Sequence, residues 1–212
     1  MSSKKGILIF AGIISIFGCL LLWFIAIVET PVVLHKVMNY NGTETIGFDF
    51  QNRVPSVPSG DTGAGRHLFI HRYPIPGNGY VNGFEYLNDY KNGYPEKQER
   101  IVLLLLRPDI GSWKIFYRYD TVDDNPVRTD GITRIIFKSP VRVRKGDIFA
   151  TYQPSDSPTG GIPLNEDAAC IDGKSSGLFG FADESLQINA KISDQGFSGC
   201  RDYFIHLLFV PK

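Results

Sequence analysis

The stretch Gly6–Val28, GILIFAGIISIFGCLLLWFIAIV, contains no charged residue and no proline. As a helix it is long enough to cross about 30 Å of hydrocarbon. It predicts one N-terminal transmembrane helix, residues 6–28, which sets the side of the membrane for all that follows. Lys4 and Lys5 precede the run, and the first charge after it is Glu29. That asymmetry predicts a short cytoplasmic N-terminus, residues 1–5, with the bulk of the chain on the extracellular or luminal side. The alternative is a cleaved signal peptide, whose apolar core is normally about 7–15 residues and ends in small-x-small. Here the core is longer, and Ile27 and Val28 are bulky where cleavage would fall.

Beyond the helix roughly 180 residues remain, enough for one domain with a sizeable core. The chain has 22 basic and 22 acidic residues, and Lys4 and Lys5 lie before the helix, so the outer part carries 20 against 22, a balance of −2. Such a surface predicts neither nucleic acid nor anionic lipid as a partner. Cys19 falls inside the apolar run and reads as a filler. Cys170 and Cys200, in an oxidising compartment, are expected to form one disulfide. It would close a loop of about 30 residues and contribute about 3–4 kcal/mol in the chain-entropy view. Asn41-Gly42-Thr43 is an N-glycosylation acceptor for a eukaryotic chain, close to the membrane.

The rest alternates strand and turn signals. Residues 29–44 read as a membrane-proximal segment and 45–212 as one extracellular domain. Strands are expected at Thr45–Gln51, His67–Tyr73, Tyr80–Leu87, Ile101–Arg107, Trp113–Tyr119, Gly131–Lys138, Val141–Val143, Ile148–Tyr152, Gly177–Phe181, Leu186–Ile192 and Tyr203–Val210. Ile101–Arg107, IVLLLLR, is a continuous apolar run whose length suits a central strand buried on both faces. Polar stretches rich in Gly, Pro, Asn and Asp separate these segments. No segment after the helix has a 3.6-residue period. The expected fold is therefore all-β: a single antiparallel β-sandwich, jelly-roll-like, preceded by one transmembrane helix.

Several strings resemble known proteins. Tyr80–Tyr86, Ile101–Pro108, Gly131–Phe137, Val141–Phe149 and Gly160-Gly161-Ile162-Pro163 together resemble β-sandwich ectodomains of surface proteins of aquatic animals. In those, an Arg-Pro strand end precedes a Gly-Asp hairpin and a Gly-Gly-Ile-Pro loop. The resemblance spans about 85 residues; it implies the fold, no activity, and no site residue. A type II anchor with a jelly-roll head also resembles the tumour necrosis factor ligands and complement-type globular heads. About 65 residues follow Gly146-Asp147 here, more than those families usually place after the comparable hairpin. Lys4-Lys5-Gly6 before an apolar helix resembles the start of archaeal prepilins.

Signals for chemistry are sparse. Gly173-Lys174-Ser175-Ser176-Gly177 matches G-x-S-x-G, and with Asp183, Asp194 or Asp202 and then His206 it reproduces the order Ser, Asp, His. That motif needs a strand–elbow–helix setting, which the flanks do not provide. Gly173-Lys174-Ser175 lacks the first glycine of a phosphate loop, because residue 168 is Ala. His67 and His71, four apart on a strand, would sit about 13 Å apart, too far to share a metal. Asp120, Asp123 and Asp124 crowd one loop and are candidate calcium ligands, although aspartates are also ordinary turn residues. Tyr90 and Tyr94, in a polar loop, are candidate ligand-contacting aromatics. No cofactor is expected.

The functional expectation is a non-enzymatic cell-surface recognition or adhesion module. It would hold membrane lipid through its helix and bind a glycan or protein through loops at one end of the sandwich. The alternatives are an accessory subunit of a larger membrane assembly, filament or homo-oligomer, and a hydrolase using Ser175. Gly12, Ser15 and Gly18 offer a small-residue face for helix packing in the second case.

Overall fold

Among the described residues the secondary structure is almost wholly antiparallel β. The computed structural model describes residues 42–56, 67–71, 73–88, 100–123, 131–154, 162–165, 177–181, 186–193, 197–199 and 201–212. The strands are β1 (Glu44–Gly47), β2 (His67–His71), β3 (Gly79–Asn88), β4 (Val102–Asp109), β5 (Ser112–Asp120), β6 (Gly131–Val143) and β7 (Ile148–Gln153). They continue with β8 (Leu164–Asn165), β9 (Gly177–Phe181), β10 (Lys191–Ser193), β11 (Phe197–Gly199), β12 (Asp202–Tyr203) and β13 (Ile205–Pro211). The described residues include no helix long and apolar enough to cross a membrane; the expected helix at 6–28 lies outside them.

One sheet has the order β1-β13-β3-β6, a second the order β10-β5-β4-β7-β2-β9-β11, and β12 pairs with β8. The two larger sheets share one core. Val81, Phe84, Ile135, Phe137, Leu207 and Phe209 from the first meet Phe69, Leu103, Leu105 and Phe149 from the second. Ring contacts cross the seam: Phe84 lies 5.7 Å from Tyr119, and Phe137 lies 5.0 Å from Tyr117 and 5.2 Å from Tyr119.

The apolar run of β4 is accounted for by a second cluster on the far side of its sheet. Val102, Leu103, Leu104, Leu105 and Leu106 are all 0 % exposed. Leu103 and Leu105 face the seam, whereas Val102, Leu104 and Leu106 join Leu68, Ile70, Ile115, Ile148, Ala150 and Ile192 behind it. Such unbroken runs are typical of parallel sheets covered on both faces. Here the sheet is antiparallel, and two-sided burial produces the same pattern.

The strings that carried the resemblance join physically. Arg107, at the Arg-Pro end of β4, makes a fork to Asp147, with Nε 2.9 Å from Oδ1 and the terminal nitrogen 2.8 Å from Oδ2. Asp147 Oδ2 also accepts from the Arg144 backbone N–H at 2.8 Å. The Ile75 N–H donates to the Asp147 carbonyl, and the Gly146 N–H donates back to the Ile75 carbonyl. The Arg107 guanidinium lies 4.4 Å over the Phe116 ring. Ile162 of the Gly-Gly-Ile-Pro string is buried in the shared core, and the Pro163 carbonyl accepts from the Phe204 N–H.

The structure departs from the expected strands in several places. β1 stops at Gly47, whose φ is 140° and where a Cβ would lie 2.8 Å from the His206 Cα. Any side chain there would drive β1 off β13, so glycine permits this last pairing, and its positive φ redirects the chain before Phe48. The expected strands Gly131–Lys138 and Val141–Val143 are one strand, β6, with extra residues opposite the Val81/Gly83 step. At that step a Cβ on Gly83 would sit 2.0 Å from the Ile135 carbonyl oxygen, so only glycine lets the backbones approach. Leu186–Ala190 is a turn that leads into β10, with Asn189 at φ 74°. The final strand breaks at Phe204, where the chain leaves β8 for β3.

Phe84 is 0 % exposed and bridges the sheets. Phe84→Ala is expected to lower the unfolding free energy by about 3–5 kcal/mol, read from the midpoint of a urea titration. A loss below about 1 kcal/mol would mean that the seam is not packed around this ring.

Candidate functional site

Strands of both sheets begin and end together where four polar segments of the chain attach. Asn88 ends β3 beside Gly131, which starts β6, and Val102 starts β4 beside Asp120, which ends β5. Gln153 ends β7 beside His67, which starts β2. The segments 57–66, 89–99, 124–130 and 155–161 join at this end and lie outside the described residues.

The roots of two of these segments are tied by an acid held between two arginines. Asp120 is 3 % exposed. Arg100 reaches it with Nε at 3.1 Å from Oδ1 and a terminal nitrogen at 2.9 Å from Oδ2, and Arg118 adds a bond of 2.9 Å to Oδ2. The Val122 N–H donates to Oδ1 at 3.3 Å. Beside it the Ile101 N–H donates to Thr121 Oγ1, and the Thr121 N–H donates to the Ile101 carbonyl, both at 3.0 Å. Burial alone would raise the Asp120 carboxyl, but the hydrogen bonds from Arg100, Val122 and Arg118 and the Arg100 charge outweigh it. Its pKa lies below the ordinary aspartate value. Val122 and Ile132 are exposed apolar side chains at the same end.

Asp120 is thus committed to guanidinium groups. The described residues hold no cluster of His, Cys, Asp or Glu fit for a metal ion. The Asp123 side chain and all of Asp124 lie outside the described residues, as do Tyr90, Tyr94, Asn41, Cys170, Cys200 and Ser175.

His206 is 1 % exposed, on the face of its sheet turned away from the seam. Its Nε2 lies 2.9 Å from Glu85 Oε2 and its Nδ1 3.3 Å from the Phe48 carbonyl oxygen. Phe50 stacks on the ring at 4.7 Å, and Arg134 donates to the other Glu85 oxygen. Both ring nitrogens are engaged, so His206 has none left to activate a serine. Asp202, another member of the Ser-Asp-His order, accepts from the Tyr73 hydroxyl at 2.5 Å. Burial raises both the Tyr73 hydroxyl and the Asp202 carboxyl, for Asp202 against the opposing pull of that hydrogen bond. His71 stacks on Phe149 at 4.3 Å, with Nε2 3.1 Å from Thr151 Oγ1, and burial lowers its pKa to about 3. It is neutral and closed off, a strand residue as expected.

Arg100 and Arg118 were not singled out in the sequence. Arg118 and Asp120 stand two apart in an alternating strand, which places them on one face. Nothing local brings Arg100 to them, because that contact depends on the pairing of β4 with β5. No protein-family model matches this chain, nor does any curated protein or any solved structure.

A depressed aspartate pKa adds stability that is present above the unfolded value and lost as pH falls through the folded one. Stability should therefore fall on acidification below the ordinary aspartate value of 3.8. Asp120→Asn should remove that part of the acid dependence and cost about 2 kcal/mol at neutral pH. Urea midpoints of both proteins across the acid range check this. A parallel pH profile in the variant would contradict it.

Proposed function

We propose that the chain is a single-pass membrane protein whose outer head is a jelly-roll β-sandwich, acting as a non-enzymatic recognition or adhesion module. It binds a protein or glycan through segments at the end where Arg100, Arg118 and Asp120 lie. The observation that carries the reading is the strand order. β1-β13-β3-β6 faces a sheet that contains β5-β4-β7-β2, so strands far apart in sequence interleave as two four-stranded faces. The residues between β7 and β13 supply β9 and β11 at one edge of that second sheet and β10 at the other. They account for the long stretch after Gly146-Asp147 and leave the interleaved strands intact.

The clasp at Asp120 supports the choice of end, since it fixes the roots of the segments that hold Tyr90, Tyr94 and Asp124. Recognition surfaces commonly sit on loops held by a rigid scaffold. The engagement of both His206 nitrogens supports this reading over a hydrolase that would use His206 as its base. The apolar run 6–28, with Lys4 and Lys5 before it, supports the anchor and its orientation.

Tags at the two termini of the full chain, probed with protease on intact cells, test the orientation. The C-terminal tag should be cleaved and the N-terminal tag protected, with an intact mass that retains the first 28 residues. A mass lacking them, or a protected C-terminal tag, contradicts the anchored reading. Replacing 89–99 by a Gly-Ser linker should abolish capture of the cell-surface ligand with thermal stability unchanged. Unchanged capture would move the binding surface elsewhere.

A further inference from the structure

We propose a second binding surface, distinct from the loop-bearing end: the outward face of β6 and the turn after it take an acidic polysaccharide, a sulfated or uronate chain. Residues 131–147 carry five basic side chains, Arg134, Lys138, Arg142, Arg144 and Lys145, against one acid, Asp147. The chain as a whole has as many acids as bases, so this is a segregated charge. The opposite excess lies at 155–196, with seven acids and two bases.

The strand directs this charge to solvent. Thr133, Ile135, Phe137 and Val143 are buried, whereas Arg134, Lys138 and Arg142 are exposed. Arg134 stands opposite Glu85 and Arg142 opposite Tyr80. Those partners are five residues apart on β3, which sets Arg134 and Arg142 about 17 Å apart along the sheet. Arg144 and Lys145 are exposed just beyond. The nearby acids are already committed. Asp147 is buried under the Arg107 fork, and Glu85 is held by His206 and Arg134. Arg142, Arg144 and Lys145 make no ion pair among the described residues.

β6 is an edge strand, and edges often carry charge and proline to block pairing with another sheet. Lys138 and Pro140, in its bulged stretch, serve that purpose. Edge protection does not require one sign of charge, nor its continuation into Arg144 and Lys145. A single file of cations along an extended strand fits an extended polyanion. It is too narrow for the broad basic field that a nucleic-acid duplex attracts.

The test uses the purified full-length protein in neutral detergent and a size-defined heparin oligosaccharide as probe, with affinity measured by calorimetry at low and physiological salt. Because binding is read on purified protein, its outcome is independent of the membrane orientation and of the loop-bearing end. The wild type is expected to bind, and more weakly as salt rises. Arg142→Glu/Arg144→Glu/Lys145→Glu should lose roughly tenfold or more in affinity, while Lys114→Glu, on the other sheet, retains it. Arg142→Ser/Arg144→Ser gives the same direction with less risk to folding, which thermal unfolding checks. Three results overturn the proposal: no wild-type binding at low salt, wild-type affinity in both cation variants, or tighter binding of a DNA duplex or of anionic lipid vesicles than of the oligosaccharide.

Discussion

The covering of β4 on both faces is the constraint on which the rest of the structure depends. Five consecutive apolar residues, Val102–Leu106, lose all contact with water. That is feasible only if the strand is central, with β5 and β7 on its two sides, and if something apolar lies in front of it and behind it. The front is the shared core with the four-stranded sheet, and behind lies the cluster that includes Leu68, Ile148 and Ile192. Each such leucine contributes about 1.5–3 kcal/mol by leaving water, so the run holds the register of its neighbours firmly. A slip of one residue would exchange the two faces of β4 and misalign both clusters.

Arginines close the two ends of this strand. Arg100, just before it, and Arg107, near its end, each grip a buried aspartate from another strand or turn: Asp120 at one end, Asp147 at the other. Buried carboxylates are costly unless paired and hydrogen-bonded, and both are. The first pair fixes the roots of the long polar segments, and the second fixes the β6–β7 turn. Charge therefore gives β4 a defined length within an otherwise apolar setting. The Glu85–His206–Arg134 line does related work across the first sheet, tying β3 to β13, to β6 and to the Phe48 backbone.

Much of this architecture is legible in the sequence. β3, β5 and β7 follow from alternation, and the two-sided burial of β4 follows from an unbroken apolar run of strand length. What escaped depends on contacts between distant segments. The early end of β1 falls at the positive φ of Gly47, a position that only glycine can fill because the His206 backbone lies against it. The break at Phe204 comes from a change of pairing partner, from β8 to β3, and nothing in the apolar run Tyr203-Phe204-Ile205 marks it. The aspartate at position 120 reads as one of several turn acids. Only the pairing of β4 with β5 reveals that two arginines hold it. The candidate loop residues Tyr90, Tyr94 and Asp124 rest on their sequence alone.

Residue-resolved amide hydrogen exchange tests the central claim most directly. Opening β4 requires disrupting both clusters, so the amides of Leu103–Leu106 should exchange only through global unfolding, with a protection free energy equal to that of the whole domain. The amides of β1, a four-residue edge strand paired on one side, should exchange through local opening and much faster. If β4 instead exchanges as fast as β1, the strand is not enclosed on both faces, and the account of the fold built on it fails.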